Sequence, residues 1–431
     1  MSVWSSNAIW WHVYPLGFCG AAVRDGDRSA APRLRRLLGW LDYATHLGAN
    51  GLLLGPIFTS QSHGYDSTNQ FAIDPRLGDD SDFDALVAAC KNRGLRIVLD
   101  GVFSHVGDQH PWLLDALQQG PDSQYGDIFD IEWEAEGGPR PRVWEGQYSL
   151  ARLNHASATA ARYVTDVMGH WLARGIDGWR LDAAYSVPTD FWARVIPDVR
   201  QRFPQSWFLG EVIHGDYPGF VAASTVDTVT QYELWKGIWS SLSTANLWEL
   251  DWALKRHNEF LDSFTPQTFI GNHDVTRIAS AVGPHQAITA LAVLMTVGGI
   301  PSIYYGDEQG ATGEKTEQLG GDDSVRPPYP DSPDGLLAFG WPSYRLHQEL
   351  ISLRRRHPWL TGAVTQPLHL DNTHYSYRVT PRSASRTIDG NDDGAASDAL
   401  TVTINLETDD PTPTVTIRDG RGDAIWEQQR A

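Results

Sequence analysis

The chain has 431 residues, 41% of them hydrophobic, enough for a large core and suggestive of one big domain with a smaller companion. Its formal net charge of −19 argues against nucleic acid and anionic membrane as partners, which would repel it, and is read as a solubilising surface. Two cysteines, Cys19 and Cys90, lie far apart in apolar segments and exclude a disulfide scaffold or a four-cysteine zinc site.

The first residues, "MSVWSSNAIWWHVYP", carry neither a basic leader nor a long apolar run. No stretch is expected to reach the roughly 18 apolar residues of a membrane span, so cytoplasmic residence is the expectation. From there a periodic helix, a glycine and a short apolar strand recur. "RLRRLLGWLDYATHLGANGLLLGPIF" has helical spacing to Leu47, then Gly48, then a strand from Gly51. "SDFDALVAACKNRGLRIVLDGVFSH" repeats the form, with a cap at Ser81 or Asp82 and a stop at Gly94. "SATAARYVTDVMGHWLARGIDGWRLDAA" repeats it again, capped by Ser157 and stopped at Gly175. Eight strands are predicted, at 10–18, 51–57, 96–103, 178–184, 207–213, 227–233, 268–274 and 302–308.

Continuous apolar strands alternating with helices imply a parallel sheet buried on both faces. Eight of them predict an α/β fold, a (β/α)8 TIM barrel, spanning 1–106 and 151–362. A doubly wound sheet is the alternative, but no G-x-G-x-x-G follows the first strand. Residues 107–150, rich in Gly, Pro and Asp, read as an irregular subdomain inserted after strand 3. Residues 363–431 alternate as strands do and predict a small C-terminal antiparallel domain, sandwich-like, with a mobile loop over 382–398.

Catalytic groups of such a barrel sit at the C-terminal strand ends. There the sequence places Asp100 and His105, Arg180 and Asp182, Glu211, and His273 and Asp274. Structural ion pairing accounts for one buried carboxylate but poorly for three at neighbouring strand ends. Two carboxyls about 5 Å apart fit a retaining glycoside hydrolase. Asp182 is then the nucleophile, kept ionised by Arg180, and Glu211 the acid/base, its proton affinity raised by a dry setting beside Val212 and Ile213. The 18 tryptophans are read mainly as core, with a few left to line a sugar groove.

"DGVFSH", "GWRLDAAYS", "FLGEVIHG" and "FIGNHD" resemble, in order, the four signature regions of the α-amylase family, glycoside hydrolase family 13. "GLLLGPIF", "HGYDSTNQFAIDPRLG" and "GIPSIYYGDEQG" resemble its second-strand, second-loop and eighth-strand motifs. The resemblance covers roughly residues 8–360 and is nearest to the neopullulanase and cyclomaltodextrinase branch. It implies Asp182 as nucleophile, Glu211 as acid/base and Asp274 as the third carboxylate. It implies His105, Arg180 and His273 as polar contacts of the sugar, Tyr65 stacked on it, His63 beside them, and Asp100 as a support for Arg180. Arg326 is placed to reach the site from the loop after the eighth strand, with a surface or structural role as its alternative.

Ser104 stands where calcium-binding members carry Asn, so no metal is expected there, and no cofactor. Ser62 in "SHGYD" replaces an aspartate of strict α-glucosidases, and "AAYS" replaces the Lys-His of many α-amylases. Arg152 stands where the nearest branch often has Lys, and the β-domain preceding the barrel in that branch is not expected ahead of a strand starting by residue 10. The implied activity is retaining hydrolysis of α-glucosidic, mainly α-1,4, bonds in maltooligosaccharides or related short or cyclic α-glucans. Oligosaccharide is the expected partner; the sequence leaves oligomeric state open. A transglycosylase or isomerase with the same triad is the first rival, and an inactive sugar-binding protein the second.

Overall fold

Short strands that are apolar at consecutive positions are buried on both faces only if a parallel sheet closes on itself or is covered by helices. In a computed structural model, which describes residues 4–318, 320–382, 398–407 and 412–429, both happen. Eight parallel strands form one sheet: β1 (Trp10–Val13), β2 (Gly51–Leu54), β3 (Arg96–Gly101), β4 (Gly178–Leu181), β5 (Trp207–Gly210), β6 (Thr228–Val229), β7 (Gln267–Phe269) and β8 (Ile300–Tyr304). The order β6-β5-β4-β3-β2-β1-β8-β7 is closed by a parallel bridge between Thr230 and Gln267. This is the (β/α)8 barrel. Every predicted strand is present but shorter, because the chain leaves the ladder early to form the loops at the C-terminal mouth.

Strand alternation sorts the barrel interior by height. Trp10, Leu53, Val98, Trp207, Leu209 and Ile300 form an apolar cluster in its lower half, where the Trp10 and Trp207 rings stack 5.3 Å apart. Two strand glycines make room for these tryptophans, one for a ring and one for a main chain. A Cβ on Gly51 would lie 2.3 Å from the Trp10 ring, and one on Gly178 would lie 2.2 Å from the Trp207 carbonyl oxygen. Two residues further along the same strands come Asp100, Arg180 and Glu211. The pleat that buries the tryptophans therefore aims the charges into the mouth.

The helix after β2 spans Asp80–Asn92, and its cap is Asp79, not Ser81 or Asp82. Asp79 is extended and accepts from the Ser81 and Asp82 amides, while Asp82 completes a capping box from the third helical position. Ser157 caps the helix Ala158–Ala173 as expected. One helix, Ile278–Thr296, is long and apolar enough to cross a membrane, against the expectation that no stretch would be. Gly283, at φ 81°, interrupts it, and residues 287–296 are buried. Thr289 Oγ1 donates to Gln428 Oε1 of the C-terminal module (2.8 Å), so its apolar face is covered by protein.

The segment between β3 and the helix Ala158–Ala173 folds over the mouth. His105–Gly107, Gln147–Arg152 and Val143–Trp144 form a small antiparallel sheet, with a helix at Pro111–Gln119. After the helix Trp341–Arg356, strands β9 (Ala363–Leu370), β10 (His374–Pro381), β11 (Leu400–Asn405), β12 (Val415–Asp419) and β13 (Ala424–Gln428) form an antiparallel meander. Among the described residues this is a single sheet rather than the sandwich-like pair expected. Tyr375, Tyr377, Val379, Val402, Ile404 and Ile417 join the barrel's core cluster, so the barrel's helices serve as the second layer. Most of the loop predicted over 382–398 lies outside the described residues.

Candidate active site

The mouth is organised around one guanidinium. Arg180 sits on β4 in register with Asp100 of β3. Its Nη1 lies 2.6 Å from Asp100 Oδ2 and 3.2 Å from Asp182 Oδ1, and its Nη2 lies 2.7 Å from Glu211 Oε1 and 3.9 Å from Asp274 Oδ2. Asp182 and Glu211 each stand one residue past a strand, and ladder bonds hold them there. The Asp182 amide donates to the Gly101 carbonyl (3.0 Å) and the Glu211 amide to the Leu181 carbonyl (2.9 Å). Ala183 then adopts φ 43°, a left-handed conformation that costs a non-glycine residue about 1 kcal/mol or more. That turn points its amide at Glu211 Oε2 (2.9 Å). Asp182 and Glu211 thus share one guanidinium and are joined again through the residue following Asp182, which puts them on one rim.

The other expected residues close the ring. Arg326 Nη2 bonds Asp274 Oδ1 (2.8 Å) and its Nε donates to the His273 carbonyl (2.9 Å), so Arg326 is a site residue and not a surface one. His273 Nε2 lies 3.1 Å from Asp274 Oδ2 and meets the Tyr65 hydroxyl. The Tyr65 and His273 rings are parallel within 4°, and Tyr65 donates to Asp100 Oδ2 (3.1 Å). His105 Nε2 bonds the Tyr65 carbonyl (3.1 Å). His63 stands one row back: its Nδ1 accepts from the Tyr65 amide (3.3 Å) and its carbonyl from the Tyr14 hydroxyl (2.7 Å). Ser104 spends its hydroxyl on His105 Nδ1 (2.8 Å), and Ser62 spends its own on Asp66 (2.5 Å).

Two electrostatic expectations need correction. Arg180 does not hold Asp182 most closely; its shortest contacts are Asp100 and Glu211. Burial first, and the neighbouring Glu211 carboxylate second, push the Asp182 carboxyl well above the usual carboxylate range against the pull of Arg180. Burial likewise pushes Asp100 up to about 6. Nor is Glu211 walled by apolar neighbours. Arg180, the Ala183 amide and the Tyr232 hydroxyl (3.1 Å) all donate to it, while Ile213 lies out at the surface, 40% exposed. The histidines are polar but uncharged at neutral pH: burial drives His105 down to about 4, His12 down to about 3, and His273 well below its ordinary value.

Residues 13–332 match the alpha-amylase catalytic domain family. The chain belongs to the alpha-amylase family. The cyclomaltodextrinase of Geobacillus thermopakistaniensis (strain MAS1) is 31% identical to this family member over 337 residues, 72% of the chain and 57% of that protein. Neopullulanase 2 of Thermoactinomyces vulgaris is 30% identical over 402 residues, 85% of the chain and 66% of that protein. The chain thus spans less than two thirds of the length of these curated relatives. In fold it is similar to the ligand-free cyclic alpha-maltosyl-(1→6)-maltose hydrolase of Arthrobacter globiformis. The TM-score is 0.78 at 24% identity, covering 98% of this chain and 99% of that one.

Four further residues of this alpha-amylase family member reach the site without having been singled out in the sequence. Tyr232, just past β6, links Glu211 to Asn272, whose amide donates to the Tyr232 hydroxyl (2.9 Å). Tyr14, at the end of β1, stacks on His273 within 6°, with the Arg326 guanidinium 4.7 Å from its ring centre. Trp144 lies 4.8 Å from the His105 ring and donates to Ser186 Oγ (3.0 Å). Strand-end position would have found Tyr14 and Tyr232 had hydroxyls been counted with charges. Trp144 comes from the insertion and carries no such signal.

Proposed function

We propose that this chain is a retaining α-glucosidic hydrolase acting on maltooligosaccharides or related short or cyclic α-glucans, mainly at α-1,4 bonds. The observation that carries this reading is the sharing of Arg180 by Asp182 and Glu211, reinforced by the bond from the Ala183 amide to Glu211. Two carboxyls so placed flank a single glycosidic bond. Asp182 attacks the anomeric carbon as Glu211 gives its proton to the leaving oxygen. Glu211 then takes a proton from water, which releases the sugar from Asp182. The step needs Asp182 ionised and one proton on Glu211. The ionised form of Asp182 is reached only above the usual carboxylate range, because burial and the Glu211 carboxylate raise its proton affinity.

Asp274, 29% exposed at its side chain and held by Arg326 and His273, is oriented to accept sugar hydroxyls. Tyr65 offers a ring face, and neutral His105, bonded to the Tyr65 carbonyl and the Ser104 hydroxyl, holds Tyr65 in place beside the sugar. The names of the relatives support the substrate class. Cytoplasmic residence belongs to the same reading, and both cysteines are buried and free, as a reducing compartment would leave them. The test is turnover by purified protein of maltose, maltotriose, cyclodextrins, pullulan, isomaltose and trehalose. Release of maltose or glucose from the α-1,4 substrates, first as the α-anomer, is expected; no release from any of them refutes the proposal. Products longer than the substrate at high maltotriose would turn the assignment to glycosyl transfer.

A further inference from the structure

At the N-terminal ends of β1 and β8, the face of the barrel away from the carboxylate cluster, lies a cavity of about 280 Å³. One part of its wall is the turn Ser5–Asn7, which leads into β1. The rest comes from the end of the helix Trp341–Arg356 and the turn Pro358–Gly362 that follows, and includes Arg354, Arg355 and His357. No aspartate or glutamate is among its lining residues, in a chain whose net charge is −19.

Both arginines are held rigidly. Arg354 is buried, with Nη1 donating to the Met295 (3.1 Å) and Val297 (2.8 Å) carbonyls and Nη2 to the Gly299 carbonyl (2.6 Å). Arg355 is exposed at the edge, with Nη1 donating to the Asn7 carbonyl (2.9 Å) and Nη2 to the Gly48 carbonyl (2.9 Å). A guanidinium has five N–H groups, so these bonds take three from Arg354 and two from Arg355. The wall between them is tied by Thr361 Oγ1, which donates to the Ser6 carbonyl (2.7 Å).

Carbonyls satisfy hydrogen bonds but do not cancel charge. A helix C-terminus offers the equivalent of about half a negative charge, against two full positive ones. Burial first, and Arg355 second, lower the Arg354 guanidinium to about 9 with no carboxylate to offset them, and it is still protonated at neutral pH. A buried positive surplus is costly until an anion meets it. Planar guanidinium forks suit oxyanions, bonding two oxygens at once. The cavity exceeds several times the roughly 30 Å³ share of a water, which leaves room for a phosphate group.

We propose that this cavity is an oxyanion site that takes inorganic phosphate, or the phosphate group of a small monoester, between Arg354 and Arg355. It lies away from Asp182 and Glu211, so its occupant is a second ligand and not the glucan being cleaved. The proposal does not depend on the α-glucan reading.

The test is calorimetric titration of the full chain with sodium phosphate, glycerol 3-phosphate and sodium chloride at matched ionic strength. Phosphate is expected to bind with a Kd of about 1 mM and to raise the melting temperature as its concentration rises, while chloride does neither. Tighter binding of glycerol 3-phosphate than of phosphate would assign the site to a monoester, and weaker binding would assign it to the inorganic ion. Arg355→Gln, which keeps a donor for the carbonyls but removes the charge, should weaken phosphate about tenfold, and Arg355→Lys should recover part of the loss. Equal responses to phosphate and chloride in the wild type overturn the site, whether or not the variants fold. An unchanged phosphate Kd in folded Arg355→Gln overturns it as well.

Discussion

Arg180 and Arg354 are almost equally buried, 3% and 5% exposed, yet they do opposite things. Arg180, at the C-terminal mouth, faces four carboxylates, and their charge holds its guanidinium firmly protonated against the cost of burial. Arg354, at the far end, gives its hydrogen bonds to the carbonyls of Met295, Val297 and Gly299. Burial first, and the neighbouring Arg355 second, bring it down to about 9. Its partners are the C-terminal carbonyls of the helix Ile278–Thr296 and the turn into β8, where a cation offsets the helix dipole. Arg355 makes the same kind of clamp on the Asn7 and Gly48 carbonyls, beside a cavity of about 280 Å³. Here the buried cation among four carboxylates lies at the proposed active site. A buried cation among carbonyls marks a joint.

If that contrast holds, damage at the two ends should differ in kind. Asp182→Ala is expected to lower turnover about ten-thousandfold while leaving the protein folded; steady-state kinetics that show an unchanged rate would remove Asp182 as nucleophile. Glu211→Gln should cost about a hundredfold or more on maltotriose but far less on aryl glucosides with good leaving groups, and equal losses on both would count against its role as acid. At the other end, Arg354→Met should leave kcat within twofold and reduce unfolding free energy by about 3 kcal/mol in urea melts, since three buried carbonyls lose their donor. A large loss of kcat there would erase the distinction between the ends.

The pH dependence sharpens the comparison. The Asp182 carboxyl lies above its ordinary value of 3.8 in the folded state, so the native protein binds that proton more tightly than the unfolded chain. Its contribution to stability is therefore present below 3.8 and declines as pH rises through the folded value. Asp182→Asn should accordingly melt higher than wild type at pH 8, with the gain shrinking toward pH 4. A gain that is flat with pH would mean the carboxyl is not held up by its surroundings. For the same reason the acid limb of kcat/KM in the wild type should lie above pH 3.8, measured on a substrate with a good leaving group.

The short motifs pointed to the proposed triad because Asp182 and Glu211 sit one residue past the ends of strands whose apolar runs are unmistakable, and Asp274 follows its strand by five residues. Position along the chain then translates directly into height in the barrel. The eight strands were legible for the same reason, as were the caps and stops at Ser157 and Gly48. Asp79 was missed as a cap because four residues with candidate oxygens, 79 to 82, stand in succession, and only the extended backbone at 79 selects among them. The apolar run 278–296 reads as broken at Gly283 and Pro284, and in the protein two helical pieces do meet at a kink there, with Gly283 at φ 81°.

The sequence by itself determined the alternation of strand and helix, the inward parity of 98 and 100, 180 and 182, and 209 and 211, and the residue types at the mouth. Those follow from local backbone periodicity, which needs no knowledge of distant partners. Tertiary structure alone decided which carboxylate lies nearest Arg180, that a guanidinium, an amide and a hydroxyl rather than apolar side chains hold Glu211, and that the aromatic wall of Trp235 and Trp239 opens beside Asp274. Those depend on contacts between residues tens to hundreds of positions apart, and only closure of the barrel fixes such distances.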